Sequence, residues 1–369
     1  MDYEQGDQVL SGLKEQRIVT IGGGTGPFAL LSYLKHHDCA ITAIVTMADS
    51  GGSSRRLMDE FGQLPLGDLR QALVALSRKD TLWRDLFAYR FRKPAPRAED
   101  VSLDDLPGAR SPKLADQAGV SGHSLGNLMI SALQDLKGGD LLLAIRDAQE
   151  ILDTAGDVLP ITLAHTTLCA ETSEGERIQG ESEIDTRGER HPGPLAPISQ
   201  ITLHRQTPPC EEAINAIHSA DVIILGPGDL YTSVLPSLLV DGVAQAIRAS
   251  AAHKVYVSNL MTKHGETDGF TASRFVGEIH RYLGGPVDRV ILHDGSFPDH
   301  LLDLYAAKQQ HPVQPDVDAV RQLVADVVVD NVLAIHGEHF VRHDAERLLR
   351  AAFAPLLVPT NVPSRSYEG

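Results

Sequence analysis

Cysteine is scarce in this chain of 369 residues: Cys39, Cys169 and Cys210 are isolated, odd in number and far apart. No CxxC pair occurs, so neither a thiolate zinc site nor a disulfide framework is indicated. Basic runs are missing as well. Nowhere do four Lys/Arg follow one another, and the formal net charge is -16, the opposite of the basic face that a general nucleic-acid binder carries. No apolar run approaches the roughly 18 residues of a membrane span. The opening MDYEQGDQVLSGLKEQ lacks the basic and apolar regions of a secretory leader. These absences lead us to expect a cytoplasmic protein whose partners are neither nucleic acids nor membranes. Acidic small molecules stay open, because backbone N–H groups at helix starts hold phosphates without net positive charge.

What is present is an ordinary globular composition, 42% hydrophobic and 22% charged, with 32 glycines. Arg17–Ile21 and Ala40–Met47 read as buried strands, and Pro27–His37 between them as a helix. A short helix is expected over Arg55–Phe61, and another over Asp68–Leu76 with Asp68 as its N-cap. Ser124–Leu136 and Leu141–Leu152 read as helices. From Asp157 to Leu203 short alternating segments suggest hairpins, a β-rich subregion. The α/β rhythm then returns, with helices at Cys210–Ser219, Leu235–Ala249 and Arg274–Leu283 and strands at Val222–Leu225, Val255–Asn259 and Val287–Leu292. Such alternation implies a mostly parallel sheet covered on both faces. One α/β domain over 17–350 is expected, with flexible tails at 1–16 and 360–369. The long polar stretch within 91–122 reads as a mobile lid or insert.

Two glycine loops carry the chemistry. RIVTIGGGTGPFALL places Gly22, Gly23, Gly24, Thr25 and Gly26 between a strand and a helix. Glycine lets the backbone come close to a ligand, and the helix start offers free N–H groups and a positive dipole end. That suits a diphosphate; the plain alternative is a tight turn. The dinucleotide fingerprint GxGxxG fits poorly, because Pro27 stands at its third glycine, although Asp49 could serve as its ribose-binding acid. A phosphate loop of the GK[ST] type is excluded. DVIILGPGDLYTSVLP repeats the pattern with Gly226 and Gly228, followed by Asp229, Tyr231 and Thr232. Two such loops at strand ends could flank one crevice.

Polar candidates cluster near the same strand ends. Asp49, with Ser50, Gly51, Gly52 and Ser53 after it, could ligate Mg²⁺, meet a ribose, or close a turn. Asp68 is a second candidate Mg²⁺ ligand. GHSLGN opens a helix and offers His123, Ser124 and Asn127, with His123 and Asp49 the candidates for proton or metal chemistry. NLMTKHGET adds Asn259, Thr262, Glu266 and Thr267 from another loop. In HGEH, His336 and His339 flank a link that a hairpin explains better than a metal.

IGGGTGPFALL, ITAIVTMADSGGSSRRLMDEFG, PLGDLRQALVALS, GHSLGNLMISAL, GESEI, LGPGDLYTSVLPSLLVDGV, VYVSNLMTKHGETDGF and FVRHD resemble, in order, the motifs of the CofD/YvcK family. The resemblance covers about residues 17–350 and implies a three-layer α/β/α Rossmann-like fold. One branch of that family transfers 2-phospholactate from a nucleoside diphosphate donor with Mg²⁺. The other, the gluconeogenesis factors, binds UDP-sugars such as UDP-GlcNAc and is tied to carbon flux into cell-wall synthesis and cell shape. LGPGDLYTSVLP, NLMTKHGETDGF and FVRHD look like the second branch. The chain departs from the family in having ADSGGS where ADDGGS is commoner, and Asp229 where Ser is commoner. The resemblance thus implies a UDP-sugar site at the two glycine loops, Asp49–Ser53, His123–Asn127 and Asn259–Thr267. A regulated protein partner and a homo-oligomer are expected with it. The alternatives are a Mg²⁺-dependent transferase with a GDP-type donor, or an NAD-dependent oxidoreductase.

Overall fold

Short runs rich in Ile, Val and Leu, too brief for helices, build the centre of the molecule. The computed structural model describes residues 13–48, 64–91, 122–191, 193–337 and 339–353. Its strands, in chain order, are β1 (Arg17–Gly22), β2 (Ala40–Val45), β3 (Asp157–Pro160), β4 (Leu168–Thr172), β5 (Arg177–Gln179) and β6 (Ile198–Leu203). They continue as β7 (Val222–Leu225), β8 (His253–Val257), β9 (Arg289–His293), β10 (Asp326–Asp330), β11 (Leu333–His336) and β12 (Phe340–His343). Seven of them form one sheet in the order β10-β9-β8-β7-β1-β2-β3, every pair parallel. VIIL of β7 and RVILH of β9 are buried along their whole length, as helices on both faces require.

The chain winds outward from β1 through β2 to β3 and, on the other side, from β7 to β10. Successive crossovers therefore diverge between β1 and β7, the place where open α/β sheets leave a crevice at their carboxyl edge. Register sets Ile21 opposite Leu225, so the loops after both strands start level. The helix Gly26–Leu34 follows β1, and Ala345–Phe353 returns from the C-terminal side to pack against it. Arg289 anchors that return. Its guanidinium, 1% exposed, pairs with Asp326 at 2.6 Å and donates to the Ala351 and Ala352 carbonyls at 3.0 and 2.5 Å. Among the described residues no single helix is long and apolar enough to cross a membrane.

Four expectations change. Asp157–Pro160 pairs in parallel with β2 in the main sheet, so the smaller antiparallel sheet, β5-β4-β6, begins only at Leu168. GESEI, inside the stretch Asp157–Leu203 expected to be β-rich, is not a strand: after Gly180 at φ 103° the chain turns into the helix Glu181–Asp185. The lead-in is shorter than residues 1–16, since Leu13 is buried in the core and the Glu15 N–H donates to the Asp38 carbonyl. Leu235–Ala249 divides into Leu235–Leu238 and Val243–Ala249. The stretch Asp49–Ser53, the helix expected over Arg55–Phe61, residues 92–121 of the expected lid and the tail 360–369 lie outside the described residues.

Candidate functional site

The two glycine loops meet. Gly26 opens the helix Gly26–Leu34, and a β-carbon there would collide with the Pro227 carbonyl of the second loop. Gly24 holds φ at 69°, which a side chain disfavours. A β-carbon on Gly22 would lie 3.8 Å from the Gly226 Cα. The helix has no side-chain cap and no acid in its first turn, so its leading N–H groups are left for a ligand. The second loop crosses a cis Gly226–Pro227 peptide and enters a π-helical turn, Leu230–Val234.

Between the loops lies a cleft of about 280 Å³. Gly23, Gly24, Thr25 and Gly26 form one wall, and Pro227, Gly228, Asp229 and Ser233 the facing one. The β8 loop adds Asn259 through Lys263. Tyr305 and Gln310 close it from one side, and Val341, Arg342 and His343 of β12 from another. Asn259 Nδ2 donates to the Gly228 carbonyl at 2.9 Å, which fixes one loop to the next. Thr262 exchanges bonds with His311, its N–H donating at 2.7 Å and its hydroxyl accepting at 2.9 Å. The Tyr305 hydroxyl accepts from the Val341 N–H at 3.0 Å and so holds β12 at the cleft edge.

Lys263 is the centre of charge. Its ammonium contacts Asp185, Asp229 at 2.8 Å and Glu266 at 3.0 Å. Burial works to lower the pKa of this lysine, but the three carboxylates overcome it and the net shift is upward. Glu266 is buried, and desolvation raises it to about 8 against the pull of Lys263, helped by Asp229 and Asp185. His343 is held the other way: burial lowers it to about 4 although its Nε2 lies 3.0 Å from the Ser258 carbonyl. A carbonyl only accepts, so the neutral ring carries its proton on Nε2.

Of the remaining sequence candidates, those within the described residues do not line this cleft. Tyr231 and Thr232 are buried, Tyr231 edge-on to Phe270 at 6.4 Å. The Thr267 hydroxyl accepts from the Lys263 N–H at 2.9 Å and shapes the loop from within. Ser124 caps the helix Leu125–Leu136 by accepting from the Asn127 N–H, and Asn127 Oδ1 accepts from Arg70 Nε at 3.1 Å. His123 is buried, its carbonyl accepting from the Phe91 N–H at 3.0 Å. Asp68 is not an N-cap, because the helix starts at Gly67 and places Asp68 in its first turn, its carboxylate against Gly23.

Among the described residues, one cluster has metal-ligating spacing: Asp185, Asp229 and Glu266, with ligand atoms within 4.8 Å of one another. The Lys263 ammonium contacts all three carboxylates. Sequence reading missed Ser233, Tyr305, Gln310, Arg342 and His343 as site residues, and did not single out Lys263 within Asn259–Thr267. Arg342 and His343 did stand inside the quoted segment FVRHD, and Lys263 inside NLMTKHGETDGF.

A family model described as 2-phospho-L-lactate transferase CofD matches residues 18–333. A protein of Halalkalibacterium halodurans named gluconeogenesis factor is 37% identical over 341 residues, covering 92% of this chain and 96% of its own. Its namesake in Bacillus subtilis strain 168 is 36% identical over 337 residues, covering 91% and 96%. A crystal structure of a Bacillus halodurans protein superposes with a TM-score of 0.80 at 37% identity, covering 92% of this chain and 99% of that one.

Proposed function

The chain belongs to the CofD family, and on that footing we propose that it is a binding protein for a UDP-sugar such as UDP-GlcNAc, coupling that ligand to carbon flux into cell-wall synthesis. The observation that carries the reading is the convergence of two glycine loops, from β1 and β7, on one cleft at the strand-order reversal. The diphosphate sits on the N–H groups of Gly24 to Gly26 and of Gly228, with the Arg342 guanidinium as counter-charge. Asp229, drawn back by Lys263, leaves the phosphates less repelled than a free carboxylate would.

Binding is favoured over catalysis by the state of the groups lining the cleft. His343 is neutral and spends its N–H on a backbone carbonyl, and Lys263 is engaged by the Asp185 and Asp229 carboxylates and the Glu266 carboxyl group. Neither is poised to carry a proton to a reacting atom. The Mg²⁺-dependent transferase reading draws on the CofD model itself and on Asp68 at Gly23. In that reading Asp68 and Asp49 would hold the metal, which offsets charge on the diphosphate.

Titration calorimetry of the full chain with UDP-GlcNAc tests the first reading. Saturable binding is expected, weakened at least about tenfold in Arg342→Ala, the scale of one lost charged hydrogen bond. Absence of heat at millimolar ligand would refute it. Mg²⁺-dependent turnover of a nucleoside diphosphate donor, abolished in Asp68→Asn, would move the balance to the transferase.

A further inference from the structure

A second cavity, of about 600 Å³, opens beside the cleft and shares Thr25 and Arg342 with it. Apolar side chains, Phe28 and Val74 among them, form much of its lining. Arg70, Arg90 and Arg342 line it too, and among the described residues no Asp or Glu does. In a chain of net charge -16, three guanidinium groups on one apolar-lined chamber are out of proportion.

Arg70 is the informative member. It is 7% exposed, and its one hydrogen bond within the described residues is from Nε to Asn127 at 3.1 Å. No carboxylate pairs with it there. Asp68, two residues earlier on the same helix, packs its carboxylate against Gly23. Among the described residues the Arg70 Nη groups donate to no protein group, on a side chain that is mostly buried, where an unpaired charge is costly. Burial, then Arg90, pull Arg70 down to about 10, with Asp68 opposing. Arg90 donates from Nη1 to the Gly122 carbonyl at 3.1 Å, and Arg342 lies over the Phe340 ring at 5.8 Å. The segment GHSLGN also gains a role here: Asn127, anchored by Ser124, orients Arg70.

We infer that this chamber binds an anionic group, a carboxylate or phosphate, carried on an apolar or ring-shaped body, at a place distinct from the diphosphate cleft and joined to it through Arg342. The anion comes either from a separate small acid or from the far end of a ligand whose diphosphate fills the cleft. Only the second source rests on the nucleotide reading above.

Phenyl phosphate, an anion on an apolar ring, is the probe for the chamber alone. Calorimetry of the full chain without nucleotide is expected to show saturable binding, absent with neutral phenol. Arg70→Gln and Arg90→Gln should each weaken it about tenfold or more, as loss of a charge-assisted bond does. Arg90 is exposed, so its variant reports even where Arg70→Gln fails to fold. In a parallel arm UDP-glucuronate, with one carboxylate more, is compared with UDP-GlcNAc. Tighter binding of the glucuronate, lost in Arg90→Gln, assigns the chamber to the distal end of the nucleotide ligand. Phenyl phosphate binding without that gain assigns it to a separate acid. If phenyl phosphate binds while neither UDP compound does, the chamber stands and the nucleotide reading falls. The inference is overturned if phenyl phosphate does not bind at millimolar concentration and the glucuronate gains nothing, or if both variants bind both probes as the parent does.

Discussion

Adding one methyl group at Gly26 would drive a β-carbon into the carbonyl of Pro227, backbone against backbone, with no flexible side chain to yield. Gly26→Ala is therefore expected to cost about 2 kcal/mol, in the range of forced overpacking. It should also spread the two loops, so that UDP-GlcNAc affinity falls along with the melting temperature. Gly24→Ala acts by another route. Its φ of 69° penalises a side chain by about 1–2 kcal/mol, while the added β-carbon meets the second loop only at the Ser233 hydroxyl, 3.3 Å away, and no backbone. A variant that lost stability while keeping full ligand affinity would separate the two effects. Glu266 makes a prediction about pH. Its proton is held up to about pH 8 in the fold, against an ordinary value of 4.5, so the folded state binds a proton that the unfolded chain has released between those limits. Its contribution to stability is complete below pH 4.5 and is lost as the pH rises through 8. Glu266→Gln carries no such proton. The melting temperature of the variant relative to the parent should rise from pH 5 to pH 8.5, and a constant difference across that range would contradict the assignment.

At the scale of elements, the return of Ala345–Phe353 onto the sheet hangs on one buried guanidinium. Arg289 satisfies the carbonyls of Ala351 and Ala352 at the end of that helix and bridges β9 to Asp326 beside it. Arg289→Met strands those acceptors, and a loss of about 3 kcal/mol is expected from a broken buried charged contact, measurable by urea unfolding. A change below about 0.5 kcal/mol, the size of an ordinary surface substitution, would show the anchor to be idle. Elements with strong local signals were legible from residues alone. Leu141–Leu152, with its apolar spacing and Asp140 as cap, begins and ends as read, and Val222–Leu225 likewise. Within the stretch Asp157–Leu203 read as β-rich, the helix Glu181–Asp185 escaped notice because five residues carry too little periodicity, and the turn into it depends on Gly180 at φ 103°. Asp68 was read as a cap because it is the usual type, while the helix takes one residue more and begins at Gly67. The two glycine loops were legible as a pair, since both follow buried strands; the faces of Tyr231 and Thr232 were not, because the π-helical turn reorients them.

For the molecule as a whole, the cleft is assembled from sequence-distant pieces: Gly23 at one end and His343 at the other, 320 positions later. This is why Tyr305 and Gln310 had no local signal, and why Arg342, although inside FVRHD, was not singled out. Each looks like a surface residue until β12 docks, through the Tyr305 hydroxyl on Val341 and the His343 ring on the Ser258 carbonyl. The family likeness, with a crystal structure matching at a TM-score of 0.80, carries the same topology across 92% of the chain. A ligand that spans the cleft must therefore stabilise both ends of the sequence together. At a hundred times its dissociation constant it should add about 2.7 kcal/mol to the folded state. Hydrogen exchange gives the spatial version of that claim. With UDP-GlcNAc bound, amides of Gly24–Gly26 and of Val341–His343 should slow in parallel, although no hydrogen bond joins them in the free protein. Arg342→Ala should uncouple the pair, leaving residual protection at the glycine loop and none on β12. Protection confined to the glycine loops in the parent protein would mean that β12 is only a neighbour of the site, and that the ligand is held by the two strand ends alone.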